Sequence, residues 1–245
     1  MRFAVRWAAL SVVALATLAT TAWSQETQIQ NKTEHDAVRP VPREGGWMKR
    51  HEAMNARVAQ GNVDVVFIGD SITQGWEGAG KEVWKEFYGE RNAVNLGIGG
   101  DRTQHVLWRL ENGNLKGIEP KLAVVMIGTN NANSNQPEEI ADGIERIVEL
   151  LKSKTPETEI LLLAVFPRGA TADDRLRQVN QKTNAIIAKL ADGQQVHFLD
   201  IGQQFLAEDG TLSQEIMPDR LHLSEKGYRI WAESIEPKVK ELLGQ

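Results

Sequence analysis

Val63-Asp-Val-Val-Phe-Ile-Gly-Asp-Ser-Ile-Thr73 is the stretch on which the fold turns. Val65 to Ile68 is a short β-branched and aromatic run, the pattern of a fully buried strand. It stops on Gly69, and two small polar residues follow, Asp70 and Ser71. A buried strand delivers whatever comes next to the carboxyl edge of a sheet, where open α/β folds place their ligands. Ser71 therefore stands where a nucleophile would be useful, although Gly-Asp-Ser is also an ordinary turn.

Working outward, four more runs read as strands: residues 93–96, 122–127, 160–166 and 196–199. Between them lie helical patterns. Residues 47–59 carry Trp47, Met54 and Val58 on one face, and residues 81–88 carry Val83, Trp84 and Phe87. Residues 103–110 also read as a helix. Residues 137–152 form an amphipathic helix that starts on Pro137 and faces inward with Ile140, Ile144, Ile147 and Leu151. Asp173 or Asp174 caps a helix reaching Leu190, and Ser224 caps a last one ending near Leu243. Strands alternating with helices at these intervals imply right-handed crossovers and a single three-layer α/β domain with a mainly parallel five-stranded sheet.

Composition narrows the function classes. The first 24 residues have the form of a secretory signal peptide. Arg2 and Arg6 precede an uncharged apolar run, and Ala22-Trp23-Ser24 offers a cleavage site. The apolar run is shorter than the roughly 20 residues of a membrane span. Removing the leader takes away two arginines and moves the formal charge from −5 to −7. An acidic exported domain fits neither nucleic acid nor anionic membranes as partners. The chain has no cysteine, which excludes disulfides, thiolate nucleophiles and zinc–thiolate sites. Residues 25–46 are polar, hold Pro40 and Pro42, and read as an extended arm before a domain of residues 47–245.

The strand ends carry the candidate chemistry. The first ends at Ser71, the second at Gly99-Gly100 and the third at Asn130, and in a parallel sheet they share one edge. Residues 217–223, Met-Pro-Asp-Arg-Leu-His-Leu, are expected at the same edge. Of the serines beyond the leader, only Ser71 follows directly on a buried strand. Of the five histidines, only His222 falls in a loop there, three residues after Asp219. That spacing lets a carboxylate orient the imidazole so that its other nitrogen takes a serine proton. The alternative is that Asp219 and His222 merely cap the last helix. His105, four residues after Asp101, is a weaker rival for the base. Gly100 can offer a backbone N–H, Asn130 a side-chain amide and Ser71 its own N–H to an oxyanion. Rival motifs fail. Gly97-Ile98-Gly99-Gly100 departs from a dinucleotide loop at Arg102, Gly-x-Ser-x-Gly is absent, and no metal-ligand cluster appears.

Gly69-Asp70-Ser71, Gly100, Asn130 and Asp219-x-x-His222 together resemble the four blocks of the SGNH (GDSL-type) hydrolase superfamily. Asn95-Leu-Gly-Ile-Gly-Gly-Asp-Arg-Thr-Gln-His-Val-Leu-Trp-Arg-Leu110, Ile127-Gly-Thr-Asn-Asn131 and Phe166-Pro-Arg-Gly169 resemble the catalytic subunits of intracellular platelet-activating-factor acetylhydrolase. The likeness spans residues 47–243. It implies a flavodoxin-like sheet of order 2-1-3-4-5 and no cofactor. It also implies Ser71 as nucleophile, His222 as base, Asp219 as its orienting partner, and Ser71, Gly100 and Asn130 as the oxyanion hole. Arg102, Trp76 and Arg168 are candidate pocket residues, each with a structural alternative. The intracellular group has no leader, and exported members resemble carbohydrate O-acetyl esterases. The expected activity is therefore removal of acetyl or other short acyl groups from O-acetylated carbohydrate. A lipid esterase is the alternative, and a non-catalytic glycan- or lipid-binding module is the reading from another class. The resemblance leaves a homodimer open.

Overall fold

The five apolar runs become the strands β1 (Val65–Gly69), β2 (Ala93–Gly97), β3 (Leu122–Met126), β4 (Glu159–Leu163) and β5 (Val196–Leu199). All pair in parallel, in the order β2-β1-β3-β4-β5. This computed structural model describes residues 35–245, of which Asp36–Gln245 form one compact unit. The leader and the first part of the arm lie outside the described residues.

Strand geometry explains the three layers. Successive side chains point to opposite faces, so a strand covered on both sides must be apolar throughout. Val66 and Ile68 of β1, Ala123 and Val125 of β3, and Ile160 and Leu162 of β4 enter one core. They meet residues of α1 (Gly46–Val58), α4 (Thr103–Glu111), α5 (Pro137–Lys154) and α6 (Arg175–Ile187). The alternate residues Val65, Phe67, Leu122, Val124, Leu161 and Leu163 enter the other core, under α3 (Lys81–Tyr88) and α7 (Glu225–Leu243). No described helix is long and apolar enough to cross a membrane.

Helix starts follow the expected signals. Asp174 accepts the N–H groups of Leu176 and Arg177, and Ser224 accepts that of Gly227. Pro137 opens α5 behind a Gln136/Glu139 capping box. The arm departs from its sequence reading. Its described part docks on the domain, because Asp36 and Ala37 receive hydrogen bonds from Asn135 Nδ2 (2.7 Å) and Thr103 Oγ1 (2.7 Å). Ala37 is buried, so the compact unit begins at Asp36 rather than Trp47.

Register places the site. Gly69 lies level with Gly97 on one side and Met126 on the other, so three strand ends finish in line. At Gly69 the short helix α2 (Ser71–Gln74) folds back against β1. A Cβ there would lie 2.1 Å from Thr73 Oγ1 and 2.4 Å from the Met126 carbonyl. Gly69→Ala is expected to cost about 2–3 kcal/mol by overpacking, read as a lowered urea midpoint with an unchanged slope.

Candidate active site

Ser71 is the first residue of α2, half-exposed at the carboxyl edge of the sheet. The turn that presents it is held by Asp70, whose Oδ1 accepts the Ile72 N–H at 2.9 Å. Further support comes from β2, where Asn95 donates to the Thr73 carbonyl and accepts the Gly97 N–H. Tyr228 of α7 donates its hydroxyl to the Ile72 carbonyl at 2.7 Å.

The loop before α7 brings His222 to Ser71. His222 Nε2 and Ser71 Oγ are 2.8 Å apart, although the two residues lie 151 positions apart in sequence. Asp219 Oδ2 lies 2.6 Å from His222 Nδ1, while Asp219 Oδ1 accepts the backbone N–H groups of His222 (2.7 Å) and Leu221 (3.0 Å). The carboxylate can only accept, so Nδ1 carries the ring proton and Nε2 is left to accept the Ser71 hydroxyl. Arg220, between them, adopts a left-handed conformation with φ 63°, which closes the turn. Its carbonyl accepts the Gly169 N–H, and its guanidinium donates to the Leu212 carbonyl.

Electrostatics separates the two nearby carboxyls. Partial desolvation pushes Asp219 up, but the hydrogen bonds from the His222 ring and backbone outweigh it and hold the group below the ordinary carboxylate range. Asp70 is wholly buried, and desolvation pushes it up to about 7. The Ile72 N–H, His222 and Arg168 oppose that rise, and Asp101 adds to it. Asp70 Oδ2 has no hydrogen-bond partner among the described residues. Asp70 therefore shapes the turn, and Asp219 is the carboxylate facing the imidazole.

Gly100 and Asn130 reach the same edge. Gly100 is exposed with φ +75°, a conformation that suits glycine. Asn130 Nδ2 donates to the Asp101 carbonyl at 2.8 Å, which fixes the amide and leaves its second hydrogen. The backbone N–H groups of Ser71 and Gly100 have no acceptor among the described residues. The ends of β1, β2 and β3 thus bring these three donor groups to the sheet edge that carries Ser71.

The pocket candidates divide. Arg168 is half-buried, donates to the Thr129 carbonyl and hydroxyl, and lies within electrostatic reach of Asp70 and Asp219. Arg102 precedes α4 and stands 3.9 Å from Asp36. Trp76 takes its structural alternative and not a place in the pocket: at 1% exposure it belongs to the core, with ring centroids 4.6 Å from Tyr228 and 4.9 Å from Trp231. His105 is no rival base. Its Nδ1 accepts the Arg102 N–H, and desolvation, with Arg43, Arg102 and Arg109 nearby, pushes it down to about 4.

Sequence reasoning missed the buried polar supports. Arg109 stands among Val106, Leu107 and Leu110 on α4, so a charge inside an apolar stripe was the available signal. Arg177 is buried likewise and donates to the carbonyls of Arg168, Gly169 and Gly210.

Comparison with known proteins fits this geometry. The sequence profile of the GDSL-like Lipase/Acylhydrolase family matches residues 67–230. Platelet-activating factor acetylhydrolase IB subunit alpha1 of Homo sapiens is 39% identical over 218 residues, covering 86% of this chain and 93% of that one. A GDSL-like lipase from Bacteroides thetaiotaomicron superposes with a TM-score of 0.65 at 25% identity, covering 79% of this chain and 97% of the other. An acetylxylan esterase from Geobacillus stearothermophilus gives a TM-score of 0.57 at 19% identity over 71% and 93% of the two chains, a likeness of fold. With most of its length matched by the profile and by an acetylhydrolase subunit, this chain belongs to the GDSL-like lipase/acylhydrolase family and is a carboxylic ester hydrolase.

Proposed function

We propose that the protein removes acetyl and other short acyl groups from O-acetylated carbohydrate, through Ser71, His222 and Asp219 and an acyl-enzyme. The observation that carries this reading is the unbroken relay from Ser71 Oγ to His222 Nε2 (2.8 Å) and from His222 Nδ1 to Asp219 Oδ2 (2.6 Å). Ser71 Oγ attacks the ester carbonyl while its proton passes to Nε2. The Ser71 and Gly100 N–H groups and the Asn130 amide hold the resulting oxyanion. Collapse expels the alcohol oxygen, which takes the proton from His222 and leaves Ser71 acylated. Water then attacks the acyl carbonyl and gives a proton to Nε2. The second collapse returns that proton to Ser71 and releases the carboxylic acid.

Two features support a short acyl group on a bulky polar alcohol. Both the human relative and the Geobacillus neighbour are named for acetyl esters. The rim is open, with the side chains of Asp219 and His222 about half exposed, at 56% and 45%. A leader in residues 1–24 would deliver the enzyme to extracellular glycans. A second reading, a lipid acetyl ester, draws on the identity to the acetylhydrolase subunit.

Acetate release from acetylated xylo-oligosaccharides and from an acetyl-phospholipid decides between them. Release from the glycan is expected, and turnover of the lipid alone favours the second reading. A serine-directed phosphonate should add one equivalent of mass at Ser71. No adduct, together with activity lost to a chelator, overturns both. Asn130→Ala should lower kcat about 10²–10³-fold with little change in KM, as loss of one oxyanion donor does.

A further inference from the structure

Arg109 is buried at 0% exposure inside α4 and touches neither Ser71 nor His222. Its guanidinium spends its donors on three partners: Asp101 Oδ2 through Nε (2.7 Å), Asn114 Oδ1 through Nη1 (2.8 Å), and the Gly69 carbonyl through Nη2 (3.0 Å). Gly69 lies two residues before Ser71, and Asp101 immediately follows Gly100. The Asp101 carbonyl is the acceptor that fixes the Asn130 amide. Trp47 Nε1 donates to the other oxygen of the Asp101 carboxylate at 2.6 Å. Arg43 stands 3.5 Å from that same oxygen and donates to the Gly99 carbonyl at 2.8 Å. Arg109 thus ties together directly the segments that carry Ser71 and Gly100, and the Asn130 amide is linked to it through the Asp101 carbonyl.

Stability alone does not account for such a group. Desolvating a guanidinium and a carboxylate offsets most of their attraction, and well-packed apolar residues serve a core as well or better. What the guanidinium supplies is a planar fork with fixed directions. Oxyanion donors act only when correctly spaced, and a displacement near 1 Å costs about 100-fold in rate.

We propose that Arg109, with Asp101 as its counter-ion, is a positioning residue that sets the spacing of the three oxyanion donors. This rests on the assignment of Ser71, Gly100 and Asn130 to the oxyanion site. Through Asp101 it holds the Gly100–Asp101 peptide and the Asn130 amide, and through Gly69 it holds the strand end that presents Ser71.

The test uses Arg109→Lys, which keeps the charge opposite Asp101 but loses the fork. Hydrolysis of p-nitrophenyl acetate should show kcat lowered about 10- to 100-fold, with KM within about threefold of wild type. The dissociation constant of a short alkyl boronic acid, which binds Ser71 as a tetrahedral adduct, should rise by the same factor. In an Asn130→Ala background the Arg109→Lys factor should shrink, because both act on one site. Arg91→Lys is the control. It disturbs a two-point pair with Glu236 on α7, at 2.7 and 2.8 Å, and should lower thermal stability while leaving kcat within about twofold.

An Arg109→Lys enzyme with unchanged kcat, a loss confined to KM, or full multiplicativity with Asn130→Ala overturns the proposal while leaving Ser71 chemistry intact. Wild-type rates in Ser71→Ala would instead overturn the assignment on which it rests. Should Arg109→Lys fail to fold by circular dichroism, Trp47→Phe removes only one donor onto Asp101. A loss of about three- to tenfold in kcat with constant KM is then expected, and no loss overturns the proposal.

Discussion

Asp219→Asn should lower kcat for a short-chain ester about 10⁴-fold, close to the loss expected for Ser71→Ala. The reason lies in which oxygen is pinned. Asp219 Oδ1 accepts two backbone N–H groups, from Leu221 and His222, so an asparagine must place its carbonyl oxygen there. Its NH₂ then faces His222 Nδ1 across the 2.6 Å contact now made by Oδ2. An amide N–H donating to Nδ1 drives the ring proton to Nε2, and the nitrogen facing Ser71 becomes a donor. Ser71 then has no acceptor for its proton. The closest isostere should therefore be no better than Asp219→Ala, in which the ring can still select the productive tautomer. Steady-state rates on p-nitrophenyl acetate check this, and an asparagine variant near wild-type activity would show that His222 does not depend on Asp219 for its tautomer.

Asp70→Asn should stabilise the protein above neutrality, by up to about 4 kcal/mol at pH 8, and change little near pH 4. The sign follows from proton counting. Burial raises the Asp70 carboxyl from 3.8 to about 7 in the folded chain. Between those values the native state holds a proton that the unfolded chain has released, so this group's contribution falls as pH rises. Above about pH 7 the folded protein carries the whole cost of a buried carboxylate, which asparagine avoids. Asparagine keeps an oxygen for the Ile72 N–H, so the turn survives. Urea unfolding of both proteins at pH 4, 6 and 8 is the measurement. A difference that does not grow with pH would mean that Asp70 is already ionised in the native state well below neutrality.

How much of this could be read from the chain depended on where the partners were. The strands were legible because a parallel sheet covered on both faces makes each strand a continuous apolar run, as in Leu-Ala-Val-Val-Met at Leu122–Met126. Helix starts at Asp174 and Ser224 were legible because a cap acts on its own next two or three residues. Ser71, Gly100 and Asn130 were legible as strand ends, and His222 as the one histidine in a loop at that edge. Trp76 stayed open between pocket and core because its burial depends on Tyr228 and Trp231, far along the chain. The polar arm was misread for the same reason. Its acceptors Asp36 and Ala37 meet donors 99 and 66 residues away, which no local pattern announces. Arg109 left a local trace, but its role depends on Gly69, 40 residues upstream.

The sequence separation of 151 between Ser71 and His222 also bears on when the enzyme becomes active. Ser71 is fixed early in the chain, on a turn held by β1 and β2, whereas His222 emerges only after β5. The Tyr228 hydroxyl then locks α7 onto the Ile72 carbonyl beside the serine. On the proposed roles of Ser71 and His222, a nascent or refolding chain with β1 and β2 paired would hold the serine and still lack its base. Pairings so distant in sequence form slowly relative to local helices. Recovered turnover after dilution from denaturant should therefore lag recovered far-UV ellipticity, and coincident recovery would show that the C-terminal loop and helix dock together with the sheet.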